Sequence, residues 1–142
     1  MSDPVRNVVI ARSGVKGWLL VLCLVLIAWQ PLSLALVASN LLDALPLRGW
    51  SLGALLIVRI FVAAFSIAAG LAIAGRRPAA LTLAKTSLAL SAATDIFIYL
   101  TPYVPSNRMP GDTPFYVAAS LVYYSGWMIY LFRSTRVRNT LP

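Results

Sequence analysis

Long apolar runs dominate this chain, and the charged, proline and glycine residues collect in short clusters between them. A hydrocarbon core about 30 Å thick is crossed by roughly 20 helical residues. Four segments meet that length, at about 17–39, 52–75, 78–101 and 115–133. None alternates with the period of two that a barrel strand needs, and backbone groups find no water in lipid, so each is predicted to be a helix. The expected fold class is therefore all-α: a polytopic membrane protein with four transmembrane helices in an antiparallel bundle. It forms a single domain over 1–142, ending in a basic tail at 134–142.

Boundary residues agree with these limits. Ser51 is placed to cap the second helix, and Thr113 followed by Pro114 has the form of a cap and first-turn proline for the fourth. Gly75, Arg76, Arg77 and Pro78 predict a tight hairpin in which glycine ends one helix and proline begins the next. Trp18 marks one interface; Trp50, Tyr99, Tyr103, Phe115 and Tyr116 mark the other. Four prolines, at 102, 105, 110 and 114, stiffen the last outer loop, which reads as either an ordered cap or a plain connection. The first span has a second reading as a cleaved signal peptide, from its basic start, the break at Gln30 and Pro31, and the small residues Ser33 and Ala35. Its full length favours a retained helix, and intact mass distinguishes the two.

Composition leads to the same class. Of 142 residues 60% are hydrophobic and 11% charged, against about 25% charged in an average soluble domain. The net charge of +8 raises the question of nucleic acid, which the distribution answers. Arg6, Arg12 and Lys16, then Arg76 and Arg77, then Arg133, Arg136 and Arg138 occupy alternate loops, while Arg48 and Arg108 balance Asp43 and Asp112 on the other side. Basic residues are retained in the cytoplasm, so both termini are expected there, with anionic headgroups at that face and no nucleic acid partner. With no His, no Glu and one Cys, neither a His or Cys metal site nor a His-based triad is available within one chain, and no metal, cofactor or enzymatic activity is expected.

Ionisable groups within a span cost about 2.5–3.5 kcal/mol each, which makes their placement the most informative feature. Arg59 lies about 10 Å below the outer face and Asp95 about 9 Å below it on the next helix, at about 1.5 Å per residue. A hairpin would bring them together as an ion pair. Small residues continue both faces: Ala63, Ser66, Gly70 and Ala74 from Arg59, and Ser91, Ser87, Ala84 and Ala80 back from Asp95. Gln30 and either Tyr123 or Tyr124 fall near that depth and extend the pair to a possible polar cluster. Lys85, nearer the inner face, is expected to snorkel to headgroups. Cys23 is expected to pack as a small hydrophobe. Tyr116, Ser120, Tyr123, Trp127 and Tyr130 share a face that either packs internally or lines an apolar groove.

Two terminal segments carry a resemblance. GVKGWLL at 14–20 resembles the start of the first helix in the DUF2569 family of small bacterial membrane proteins. YLFRSTRVRNTL at 130–141 resembles that family's basic ending, through Tyr130, Ser134, Arg136, Val137, Asn139 and Thr140, with Leu141 where an aromatic is expected. The resemblance implies the four-helix layout and a bacterial inner membrane, and supplies no catalytic residues. Arg133, Arg136 and Arg138 complement the helix C-terminus and meet anionic lipid or a protein partner.

The expected function is thus a noncatalytic accessory, assembly or envelope factor acting through helix and lipid contacts, as a homo-oligomer or with a membrane protein partner. The alternative is a small oligomeric transporter or channel using Arg59, Asp95 and Gln30.

Overall fold

The computed structural model describes residues 15–101 and 109–141, and all its regular elements are helices. Asp3, Arg6, Arg12, Arg108, Tyr103, Pro102 and Pro105 lie outside the described residues. In chain order the elements are α1 (Trp18–Leu24), a π-helical segment (Val25–Trp29), α2 (Gln30–Arg48), α3 (Trp50–Ala74), α4 (Ala80–Leu100), α5 (Thr113–Arg133) and the short α6 (Thr135–Thr140). Four candidate spans result: Trp18–Asp43, Trp50–Ala74, Ala80–Leu100 and Thr113–Arg133, each long and apolar enough to cross a membrane.

The first span departs most from expectation. Gln30 and Pro31 do not break it, because the chain widens into a π turn over Val25–Trp29 just before Pro31. A proline ring collides with the carbonyl four residues earlier, and π widening is one way a helix absorbs that collision and continues. Nor does the helix stop near 39. It runs to Arg48, with Pro46 in its last turn, and Ser39 Oγ and Asn40 Nδ2 both donate to the Leu36 carbonyl within it, at 2.9 and 3.0 Å. Apolarity marks where lipid contact ends, not where the helix does.

The connections also differ in detail from the expected caps. Ser51 caps nothing: Gly49 alone separates α2 from α3, at a positive φ of 74°. Gly75 stays right-handed at φ −80°, and Arg76 takes the left-handed position with φ 51°. The Arg77 amide bonds the Ala72 carbonyl at 3.0 Å and the Arg76 amide bonds Ile73 at 3.1 Å, the paired bonds of a Schellman cap. Pro78 lies within this turn, so α4 begins at Ala80. At α5 the cap position falls on Asp112, one residue before Thr113, and Pro114 occupies the first turn.

One core cluster occupies the end of the bundle where α1 starts, the 75–79 turn lies and α6 folds back. Leu19, Leu22, Ala72, Ile73, Ala80, Ala84, Leu131, Val137 and Leu141 are all buried there. Over its described residues, 134–141, the tail is therefore a packed element and not only a charged anchor. Val137 and Leu141, four residues apart, point into the core while Arg136 and Arg138 stay exposed. The α3 and α4 faces meet through the small residues, with Ala63, Ser66, Gly70, Ala80, Ala84, Ser87 and Ser91 buried; Ala74 is exposed and stands outside that contact.

Candidate functional site

The buried polar residues converge at one place. Arg59 on α3 donates from Nη1 to Asp95 Oδ1 on α4 at 2.5 Å, with the two side chains 8% and 18% exposed. Tyr124 on α5 donates its hydroxyl to the other carboxylate oxygen, Oδ2, at 2.5 Å. Gln30, the first residue of α2, is buried and its side chain lies near the same Tyr124 hydroxyl. Each of the four candidate spans thus gives one side chain to a polar cluster in which Tyr124 and Arg59 bond Asp95 and Gln30 stands beside Tyr124. Local structure explains the placement: the π turn rotates the helix just before Gln30, and turns of this type are common where a side chain must be re-aimed.

Tyr123 is not a member. Its neighbour Tyr124 is 7% exposed and Tyr123 37%, and the two rings meet edge to face at 5.1 Å. Adjacent positions on a helix point about 100° apart, so only one of the pair can enter the bundle. Tyr123 turns outward and packs edge-on to Trp127, 6.5 Å away.

Below the ion pair the polar line continues between α3 and α4. Ser66 and Ser87 share a hydrogen bond of 2.7 Å, both fully buried. Ser91, one turn from Asp95, is also fully buried, and its Oγ, like Arg59 Nε, has no hydrogen-bond partner among the described residues. Composition singled out these serines only as small residues. Their spacing of one helical turn, in register with Asp95, was the available sign of a polar stripe.

Close backbone approach accompanies the stripe. Cys23 Sγ donates to the Gly70 carbonyl at 3.1 Å, and a Cβ on Gly70 would lie 2.6 Å from Ile27 Cγ1 and 3.2 Å from the Cys23 carbonyl. Cys23 is therefore a hydrogen-bonded core residue, and the small residue at 70 is what lets α3 seat against the π segment.

Lys85, Arg136 and Arg138 make their contacts toward the opposite end. Lys85 Nζ lies 3.8 Å from the centre of the Phe132 ring, a cation–π contact directed toward the end of α5. Arg136 Nη1 donates to the Lys16 carbonyl at 2.9 Å, and Arg138 Nη2 reaches the Phe132 carbonyl at 3.4 Å. A Cβ on Gly17, whose φ is +64°, would lie 3.0 Å from Arg136 Nη1. The two terminal segments, more than a hundred residues apart, therefore meet: the glycine of GVKGW makes room for the arginine of RVRNT. Arg133 is exposed at the end of α5.

No group of three or more potential metal-binding His, Cys, Asp or Glu side chains occurs among the described residues. In comparisons with protein-family models, curated proteins and solved structures, the chain has no match.

Proposed function

We propose that this chain is a noncatalytic, four-span antiparallel bundle of a bacterial inner membrane with both termini cytoplasmic. It serves as an accessory, assembly or envelope factor through contacts of its outer surface with lipid and with a membrane protein partner or a second copy. The observation that carries this reading is the internal saturation of its one described intramembrane carboxylate: Asp95 is engaged by Arg59 on one oxygen and Tyr124 on the other. A carboxylate so held is a fastener between helices, and buried ionic groups are well attested as devices that fix register. The alternation of basic loops supports the orientation. The resemblance of the two terminal segments to the DUF2569 family supports the bacterial inner membrane.

Crosslinking in native membranes followed by mass spectrometry tests the proposal and is expected to recover a fixed protein partner or a second copy. Proton or cation flux into proteoliposomes that Asp95→Asn abolishes would overturn it. A second reading, a small oligomeric transporter or channel, is favoured by one specific feature: Ser91 Oγ and Arg59 Nε are buried, unpartnered among the described residues and adjacent to Asp95. That is where a passing polar species would bind.

A further inference from the structure

An apolar groove of about 320 Å³ lies between the start of α1 and the second half of α5, lined by Trp18, Val122, Tyr123, Gly126, Trp127 and Tyr130. Aromatic rings form its walls, with Trp18 edge-on to Trp127 at 6.4 Å and Trp127 edge-on to Tyr130 at 6.0 Å. Its floor is Gly126, where an added Cβ would meet nothing within 4 Å, so the opening results from a missing side chain. From Val122 to Tyr130 the groove runs about 12 Å along the helix axis.

Positive charge stands at one end of this groove. Trp18 follows Lys16 and Gly17, on which the Arg136 guanidinium rests. Tyr130 is one turn before Arg133, which continues the same helical face and is exposed, as is Lys16. Neither the lining of this groove nor that of a second surface groove, formed by Val21, Leu24, Val25, Ala28, Trp29 and Leu32, contains a basic residue. At the first, however, the exposed Lys16 and Arg133 lie two and three residues from the lining residues Trp18 and Tyr130, and an apolar slot beside cations is the chemistry of a single amphiphile with an acyl chain and an anionic head.

We propose that the groove between α1 and α5 is a site for one anionic phospholipid, its acyl chain lying on Gly126 beside the paired tryptophans and its phosphate held by Lys16 and Arg133, with Arg136 bonded to the Lys16 carbonyl next to them. The inference deepens the proposed function and rests on its reading of the outer surface as the working surface. Charge complementarity selects the occupant: a neutral lipid would fill the slot and leave the cations unused, while a soluble anion would meet the cations and leave the slot empty. Basic residues near a bilayer each favour anionic lipid about fivefold, so two contacts predict a preference of about thirtyfold over a zwitterionic lipid of the same chain.

The test uses the full chain with Trp29→Phe and Trp50→Phe, leaving Trp18 and Trp127 as reporters, reconstituted into phosphatidylcholine vesicles. A minor fraction of lipid carries brominated chains, on phosphatidylglycerol in one series and on phosphatidylcholine in the other. Half-maximal quenching is expected at about thirtyfold less brominated phosphatidylglycerol than brominated phosphatidylcholine. Gly126→Leu, which fills the slot, should abolish the difference. So should Lys16→Gln with Arg133→Gln, which leaves the Arg136 bond to the Lys16 backbone carbonyl in place. Equal quenching by the two lipids overturns this inference alone. A preference that survives Gly126→Leu also overturns it, since it would then reflect surface charge without the groove. Quenching by neither lipid overturns both this inference and the membrane-spanning reading beneath it.

Discussion

Replacing Asp95 by Asn keeps the side chain's shape and removes its charge, leaving the Arg59 guanidinium 7% exposed against a neutral amide. In a soluble protein, breaking a buried ion pair from one side costs about 3–5 kcal/mol. In a membrane the unfolded reference state also keeps Arg59 in the bilayer, and interhelical hydrogen bonds there average only about 0.6 kcal/mol with a maximum near 1.7. The two bounds bracket an expected loss of about 2 kcal/mol for Asp95→Asn. Arg59→Gln should cost less, about 1 kcal/mol, because an unpaired carboxylate can neutralise itself by taking a proton whereas a guanidinium cannot lose one. The exchange of Arg59→Asp with Asp95→Arg should recover about half of the Asp95→Asn loss, since Tyr124 would be left facing a cation. Reversible unfolding of the purified chain in mixed micelles, followed by helical circular dichroism, measures all three. Single variants within about 0.5 kcal/mol of the parent, or an exchanged variant whose loss equals the sum of the losses from Arg59→Asp and Asp95→Arg made separately, would refute the energetic coupling.

Three further outcomes follow from neighbouring contacts. Tyr124→Phe should lose about 1 kcal/mol in the same assay by removing the hydroxyl from Asp95 and Gln30, while Tyr123→Phe should change stability by less than about 0.5 kcal/mol because that ring faces outward. Gly70→Ala should destabilise by about 1–3 kcal/mol through the clash with Ile27 and the Cys23 carbonyl, whereas Gly126→Ala should be neutral or stabilising by up to about 1 kcal/mol; equal effects would refute the close approach at 70. Arg76→Gly should raise the melting temperature of the purified protein, by about 0.5–1 kcal/mol of stability, because glycine relieves the left-handed backbone at the α3 cap; an unchanged or lowered value would show that the turn carries no such strain.

Much of the membrane layout was legible in the sequence because lipid imposes a simple length and polarity requirement on each span. Arg59 and Asp95 stood out for the same reason, as charges where charge is costly, and the short 75–79 connection made them neighbours. Helix ends were less legible. α2 continues past the polar Ser39 and Asn40 to Arg48, and Arg76, not Gly75, takes the left-handed turn; both depend on local geometry that residue type only biases.

By itself the sequence determined helicity, the number of apolar spans long enough to cross a bilayer and the rarity of charge within them, because each follows from the chain's free energy in lipid one segment at a time. Only the tertiary structure decided that Tyr124 and not Tyr123 completes the cluster, that Ser66 meets Ser87, and that Gly17 makes room for Arg136 across the length of the chain. Those pairings depend on how helices rotate and approach one another, and a π turn at Val25–Trp29 or a missing side chain at Gly70 sets that rotation and approach without leaving a periodic trace in the sequence.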